Sequence, residues 1–244
     1  MLIGAPSWGA VAATLLTSSQ DTTNGSSFST ASITPTANRL VLLCLRTRRS
    51  GAIPDPAITG NGLTWVAINR KDYNTVGTPV EHVFIYRALG ASPSAGAVTI
   101  DTSAVGTQTS ASWAITEFSG IDTSGTNGSG AIVQSATASG DASTGLTPTL
   151  SAFGNANNGA FMCTGVSDNT GVTPEGTWTE LSDTGNNDGG GADTFGLQSQ
   201  WIASNDTSPN ATWTSMDAAA IAVEIKAAAS AVVQQNLMLM GVGN

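Results

Sequence analysis

Residues 111–120 read Ala-Ser-Trp-Ala-Ile-Thr-Glu-Phe-Ser-Gly. Trp113, Ile115 and, after a step, Phe118 are large and apolar, whereas Ser112, Thr116 and Ser119 are small and polar. A period near two, β-branched and aromatic residues and a closing glycine predict a strand with one face on a core. Residues 80–88 set Val80, His82, Phe84 and Tyr86 against Glu81, Val83, Ile85 and Arg87, a second alternating strand. The continuous apolar run Leu40, Val41, Leu42, Leu43, Cys44, Leu45 predicts a central strand buried on both faces. Further strands are expected at 11–16, 28–33, 63–69 around Trp65, and 96–101. Residues 51–62 are a Pro/Gly loop that ends in the turn signal Asn61-Gly62. Before the tail, nothing carries the i, i+3, i+4, i+7 apolar spacing of a helix.

The same order of patterns occurs a second time. Asp217 opens a run of small residues with Ile221, Val223, Glu224 and Ile225, which matches the 111–120 strand and sets Glu224 against Glu117. Thr147-Pro148-Thr149 matches Thr34-Pro35-Thr36. Asn157 to Cys163 matches Asn38 to Cys44, and Thr177-Trp178 matches Thr64-Trp65. Residues 195–203 fall where 80–88 fell, and 210–214 where 96–101 fell. The chain therefore divides into a leading arm or first strand (1–19), a duplicated body (20–228, with pseudo-repeats 20–122 and 134–228) and a tail (229–244). The expected fold is all-β, a jelly-roll-like antiparallel β-sandwich with internal duplication and an extended C-terminal tail. Two small sandwiches would also fit. One interleaved sandwich is preferred, because residues 121–130 read as an ordinary Gly/Ser loop and each copy has few large apolar side chains.

Composition narrows the functions available. Only 10% of residues are charged, the net charge is −9 and the pI is near 4.2, which excludes nucleic-acid binding through a global basic field. Every basic residue except Lys226 lies between Arg39 and Arg87, while the second copy is acidic. Arg46, Arg48 and Arg49, with Arg70 and Lys71, are a candidate docking patch for an acidic partner; a solvated loop end is the simpler account. The tail places Val232, Val233, Leu237, Met238, Leu239 and Met240 in a mostly apolar terminus, read as a segment that anchors on another subunit or protein. Met1 to Pro6 lacks a basic start and an apolar stretch, so no signal peptide is expected and synthesis in the cytoplasm is.

Catalytic constellations are not evident. His82 is the one histidine, no GxSxG, HExxH or phosphate-loop pattern occurs, and Glu117 and Glu224 match through pseudo-symmetry. No catalytic, cofactor-binding or metal residue is assigned, and the chain is read as a non-enzyme. Asp183, Asn186, Asn187, Asp188 and Asp193 crowd a glycine-rich loop that would suit Ca2+, with a solvated hairpin as the simpler reading. Cys44 and Cys163 lie in apolar runs and are read as buried free thiols, a disulfide being left open. Trp65 and Trp178 occupy matching places and are read as core. Exposed aromatics among Trp65, Trp178, Trp201, Trp213, Tyr73 and Tyr86 would instead suit sugar stacking.

The combination Asn38-Arg39-Leu40-Val41-Leu42, Gly62-Leu63-Thr64-Trp65, Val83-Phe84-Ile85-Tyr86-Arg87-Ala88 and Ala114-Ile115-Thr116-Glu117-Phe118-Ser119-Gly120-Ile121-Asp122 resembles a duplicated β-sandwich module of phage virion proteins and bacterial surface proteins. The likeness spans about residues 20–228. It implies a display or attachment role: a capsid decoration protein or a head or tail appendage, homo-oligomeric and bound to other virion proteins. A carbohydrate- or receptor-binding module is the alternative. No nucleic-acid or membrane partner is expected.

Overall fold

The computed structural model describes residues 10–49, 54–74, 80–104, 106–169, 171–186 and 194–229. The first half carries β1 (Ala12–Asp21), β2 (Ser27–Ser29), β3 (Leu40–Arg49), β4 (Ala57–Gly60), β5 (Val66–Tyr73), β6 (Val80–Ala88), β7 (Val98–Asp101) and β8 (Ser110–Ser119). After a single 3-10 turn at Ser129–Ala131 come β9 (Ile132–Leu146), β10 (Gly159–Val166), β11 (Thr173–Pro174), β12 (Thr179–Asn186), β13 (Phe195–Ile202) and β14 (Ala211–Ile225). All pairings between these strands are antiparallel. The protein is an all-β sandwich.

The first half builds one sheet in the order β1-β8-β3-β6-β5. The second half builds another, β14-β10-β13-β12, with β9 and the short β11 also on β14. When β3 is laid on β10, the order β1-β8-β3-β6-β5 coincides with β9-β14-β10-β13-β12. The two halves do not exchange strands, so the expected jelly-roll interleaving gives way to one whole sheet per half. The reason is local: each central strand, β3 or β10, finds both neighbours within its own half. One predicted pair of elements also merges. Residues 210–214 and the strand after Asp217 form the continuous β14, whereas their first-half counterparts stay apart as β7 and β8.

Side-chain alternation sorts the core into layers. Leu40, Leu42 and Cys44 of β3 face Phe161 and Cys163 of β10 in the layer between the sheets, with Ile85, Phe118, Leu197, Ile221 and Val223. Phe118 meets Phe161 edge-on at 5.7 Å between ring centroids. The other face of β3, Val41, Leu43 and Leu45, packs under Phe28, Ile58, Val98 and Ile100 of a small sheet ordered β2-β7-β4. The continuous apolar run thus marks a strand buried on both sides. The outer face of the second sheet has its own cluster, Ala160, Met162, Trp178, Trp213, Met216 and Ala220.

Cys44 and Cys163 form a disulfide with their Cα atoms 5.7 Å apart and a sequence separation of 119. This corrects the reading of two free thiols. Both cysteines lie on the inward faces of the two central strands, where the sheets oppose each other.

Candidate functional site

A cleft of about 400 Å3 opens at one end of the second sheet, lined by Gly130, Ile132, Val133, Gly154, Asn155, Asn158, Glu224 and Lys226. Three segments build it. The joining segment is pinned to the end of β14 by Asp122 N–H donating to the Lys226 carbonyl and Lys226 N–H donating to the Ala131 carbonyl, at 2.9 and 2.8 Å. β9 starts beside this point, because Ile132 pairs with Ile225. The loop before β10 forms the opposite wall, closed on itself where Asn158 N–H donates to the Asn155 carbonyl at 3.1 Å.

Glu224 lies at the floor and is fully buried. Its carboxylate accepts from Gln134 Nε2 and from Asn158 Nδ2, both at 2.6 Å. Asn158 Oδ1 in turn accepts the Ala227 N–H at 3.0 Å. At the rim, Lys226 Nζ lies 2.7 Å from Asp122 Oδ2. That lysine contact, helped by the Ser124 N–H, holds the Asp122 carboxyl down to about 2. Val133 is half exposed and is the exposed large hydrophobic residue among the described ones.

Glu117 is the first-half counterpart of Glu224. It pairs across to Val41 as Glu224 does to Ala160, one residue into β3 and β10 respectively. Glu117 receives three donors: Thr36 N–H at 2.8 Å, Thr36 Oγ1 at 3.0 Å and Arg39 Nη1 at 3.3 Å. The matched carboxylates seen in sequence thus tie down the loops that lead into their central strands. Sequence reasoning did not find the cleft. Its one advance signal was Asn158 just before β10, at the place that Arg39 holds just before β3.

The three candidate arginines do not form one surface. Arg46 is fully buried, contrary to its expected place in a docking patch, because it shares the inward side of β3 with Leu42 and Cys44. Its guanidinium lies 2.7 Å from Glu81 Oε1, 2.9 Å from Ser110 Oγ, 3.3 Å from Tyr73 Oη and 4.1 Å over the Phe195 ring. The Arg46 guanidinium pKa is raised although burial itself acts to lower it, because Glu81 favours the charged form. Arg48 Nε lies 3.4 Å from the same Glu81 oxygen. Arg49 packs its guanidinium against Gly106. Arg70 reaches Asp55 at 3.3 Å and Asp72 at 3.5 Å.

Val232, Val233, Leu237, Met238, Leu239 and Met240 lie outside the described residues, as do Asp188 and Asp193. Asp183 accepts the Val172 N–H at 3.0 Å, and burial raises its carboxyl pKa. Among the described residues, no group of three or more potential ligands could hold a metal ion. His82 Nδ1 lies 2.8 Å from Asp72 Oδ1, with Thr47 directly across on β3. His82 and Thr47 are both closed from solvent, so this row links three strands without presenting a nucleophile. Trp178, Trp213, Tyr73 and Tyr86 are buried, and Trp65 and Trp201 pack against core clusters.

Compared with known protein families, with characterised proteins and with solved structures, the chain matches none.

Proposed function

We propose that the chain is a structural protein of a virus particle, a capsid decoration protein or a head or tail appendage, held there by its terminal segments. The carrying observation is the Cys44–Cys163 disulfide at the centre of the sandwich. Disulfides persist at virion surfaces and outside cells, and are rare where glutathione keeps thiols reduced. A bridge between facing central strands braces both sheets, which suits a display body that must survive without repair. The shared strand order supports reading the halves as copies of one module, each contributing a sheet. The localisation that follows is the particle, with the bridge closing after release from a reducing interior.

The decisive experiment separates particles from free protein on a density gradient and follows the chain by peptide mass spectrometry. Co-sedimentation at fixed stoichiometry, lost when residues 230–244 are deleted, is the expected result. Recovery only at the top of the gradient would sink the reading. For the glycan-binding alternative, Trp178, Trp213, Tyr73 and Tyr86 are buried, which leaves the partly buried Trp65 and Trp201 as its stacking surfaces. A glycan array checks what remains of it.

A further inference from the structure

We propose that the cleft at the end of β14 receives a guanidinium group carried on the arginine side chain of a protein partner. The first half of the chain contains the template. Arg39 immediately precedes β3, and its guanidinium meets Glu117 at 3.3 Å. Asn158 immediately precedes β10 and stands in Arg39's place, giving Glu224 a neutral amide instead of a cation. The loop differs too. Thr36 folds onto Glu117 with both its N–H and its hydroxyl. Gly154 and Asn155 wall the cleft instead, and neither donates to Glu224. The cleft lies beside Glu224 where the first half sets Thr36 and the Arg39 guanidinium against Glu117.

What remains has the chemistry of an arginine receptor. A carboxylate closed from solvent sits at the floor with two neutral donors, and among the described residues no cation lies within ion-pair distance of it. Neutral amides hold a carboxylate but do not offset its charge, and that charge acts more strongly through a low-dielectric floor than through water. Lys226 shares the lining, but its ammonium is engaged by Asp122 at 2.7 Å, so the two rim charges offset each other. Glu224, Lys226 and Asp122 together leave one net negative charge. Ile132 and the half-exposed Val133 supply an apolar wall. Such a wall suits the three methylenes of an arginine stem, which pack on apolar surface while the charged head reaches polar groups. A guanidinium is also more weakly hydrated than an ammonium, so it loses less in settling on such a wall above the buried Glu224, whose charge it feels through the floor without touching either oxygen.

The proposal does not depend on the particle reading, because binding at the cleft would be seen with the isolated chain. The test is a nitrogen–proton NMR titration of the full chain with agmatine, with a blocked Gly-Arg-Gly peptide and with methyl α-glucoside. Saturable shifts at Gly130, Val133, Gly154 and Asn158 are expected with the first two probes and not with the third. Glu224→Gln should weaken agmatine binding at least tenfold. Lys226→Gln, at an exposed side chain, should tighten it several-fold by removing a rim cation. If Glu224→Gln does not fold, the Lys226→Gln arm decides, and weaker or unchanged binding there overturns the idea. Shifts with agmatine but not with the peptide would overturn the side-chain assignment. Shifts with the glucoside alone, or with none of the three, would overturn the proposal entirely.

Discussion

Cys44 and Cys163 hold the same position in the two sheets and are bonded to one another. Cys44 sits opposite Ile85 and Ala114, and Cys163 opposite Ser199 and Ile221, at matching registers of β3 and β10. A bond between counterpart residues lies where a local two-fold relating the sheets would pass. It therefore braces the sandwich at its middle and not at an edge.

Removing that brace should be costly. The closed loop is long, and chain-entropy arguments give about 3–5 kcal/mol for a bridge of this span. Replacing both cysteines by alanine is expected to lower the Tm by roughly 10 °C. The native chain should be 2 Da lighter than its fully reduced form, about the mass of two hydrogens. Both cysteines are fully buried, so mild reductant should open the bridge only at the rate of unfolding. Rapid reduction of the folded chain would contradict this.

The Arg46–Glu81 pair should behave as a unit. Both side chains are fully buried, and removal of Arg46 leaves Glu81 with only the longer contact to Arg48 at 3.4 Å, a loss of about 3 kcal/mol, the low end for breaking a buried pair. Arg46→Met is expected to lose that much in urea unfolding. Arg46→Met with Glu81→Leu should recover most of it, because an apolar pair of similar volume avoids desolvation. A double variant no better than the single would show that Tyr73, Ser110 and the Arg48 charge left without Glu81 outweigh the Arg46–Glu81 pair at this site.

Much of this body was legible from alternation, and what was not has identifiable physical causes. The 80–88 strand and the apolar 40–45 run emerged as β6 and β3 because their side chains report burial directly. Glu117 and Glu224, paired by the sequence echo, each sit opposite the second residue of a central strand, because strand ends keep register. Arg46 was misplaced although its parity with Leu42 and Cys44 pointed inward; an expectation that arginine stays solvated outweighed the period. The disulfide needs two sheets to face each other, which no local pattern encodes. The cleft depends on the loop before β10 standing off Glu224, and that is a backbone path, not a composition.

Acid should expose the tie between the joining segment and β14. The folded Asp122 carboxyl, held near 2 chiefly by Lys226, lies below its ordinary range of about 3.9. Its contribution is therefore present above that range and is lost as pH falls through about 2. Since Lys226 is half exposed, the effect is no more than about 1 kcal/mol. The Tm of Asp122→Asn should lie below that of the native chain at pH 6, and the gap should close towards pH 2. A gap independent of pH would point to lost packing instead.

Gly165 stands across the sandwich from the Arg46 cluster and holds the register that Arg46 holds in the other sheet: Arg46 lies two residues beyond Cys44, and Gly165 two beyond Cys163. The halves therefore differ at this point by a whole arginine side chain. A Cβ on Gly165 would meet Val83 Cγ2 at 2.5 Å and Tyr73 Oη at 3.0 Å. Val83 belongs to a central strand and Tyr73 is held by Arg46, so neither can withdraw freely. Gly165→Ala is therefore expected to cost about 1–3 kcal/mol through overpacking. Val83→Ala removes the nearer clash, so in the double variant the Gly165→Ala cost should shrink by more than half, measured as a coupling energy in a double-mutant cycle. If the two costs simply add, the contact with Val83 is not what excludes a side chain there. The space would then be set by Tyr73 and the arginine it serves, and one half of the sandwich would carry glycine because the other half carries a buried charge.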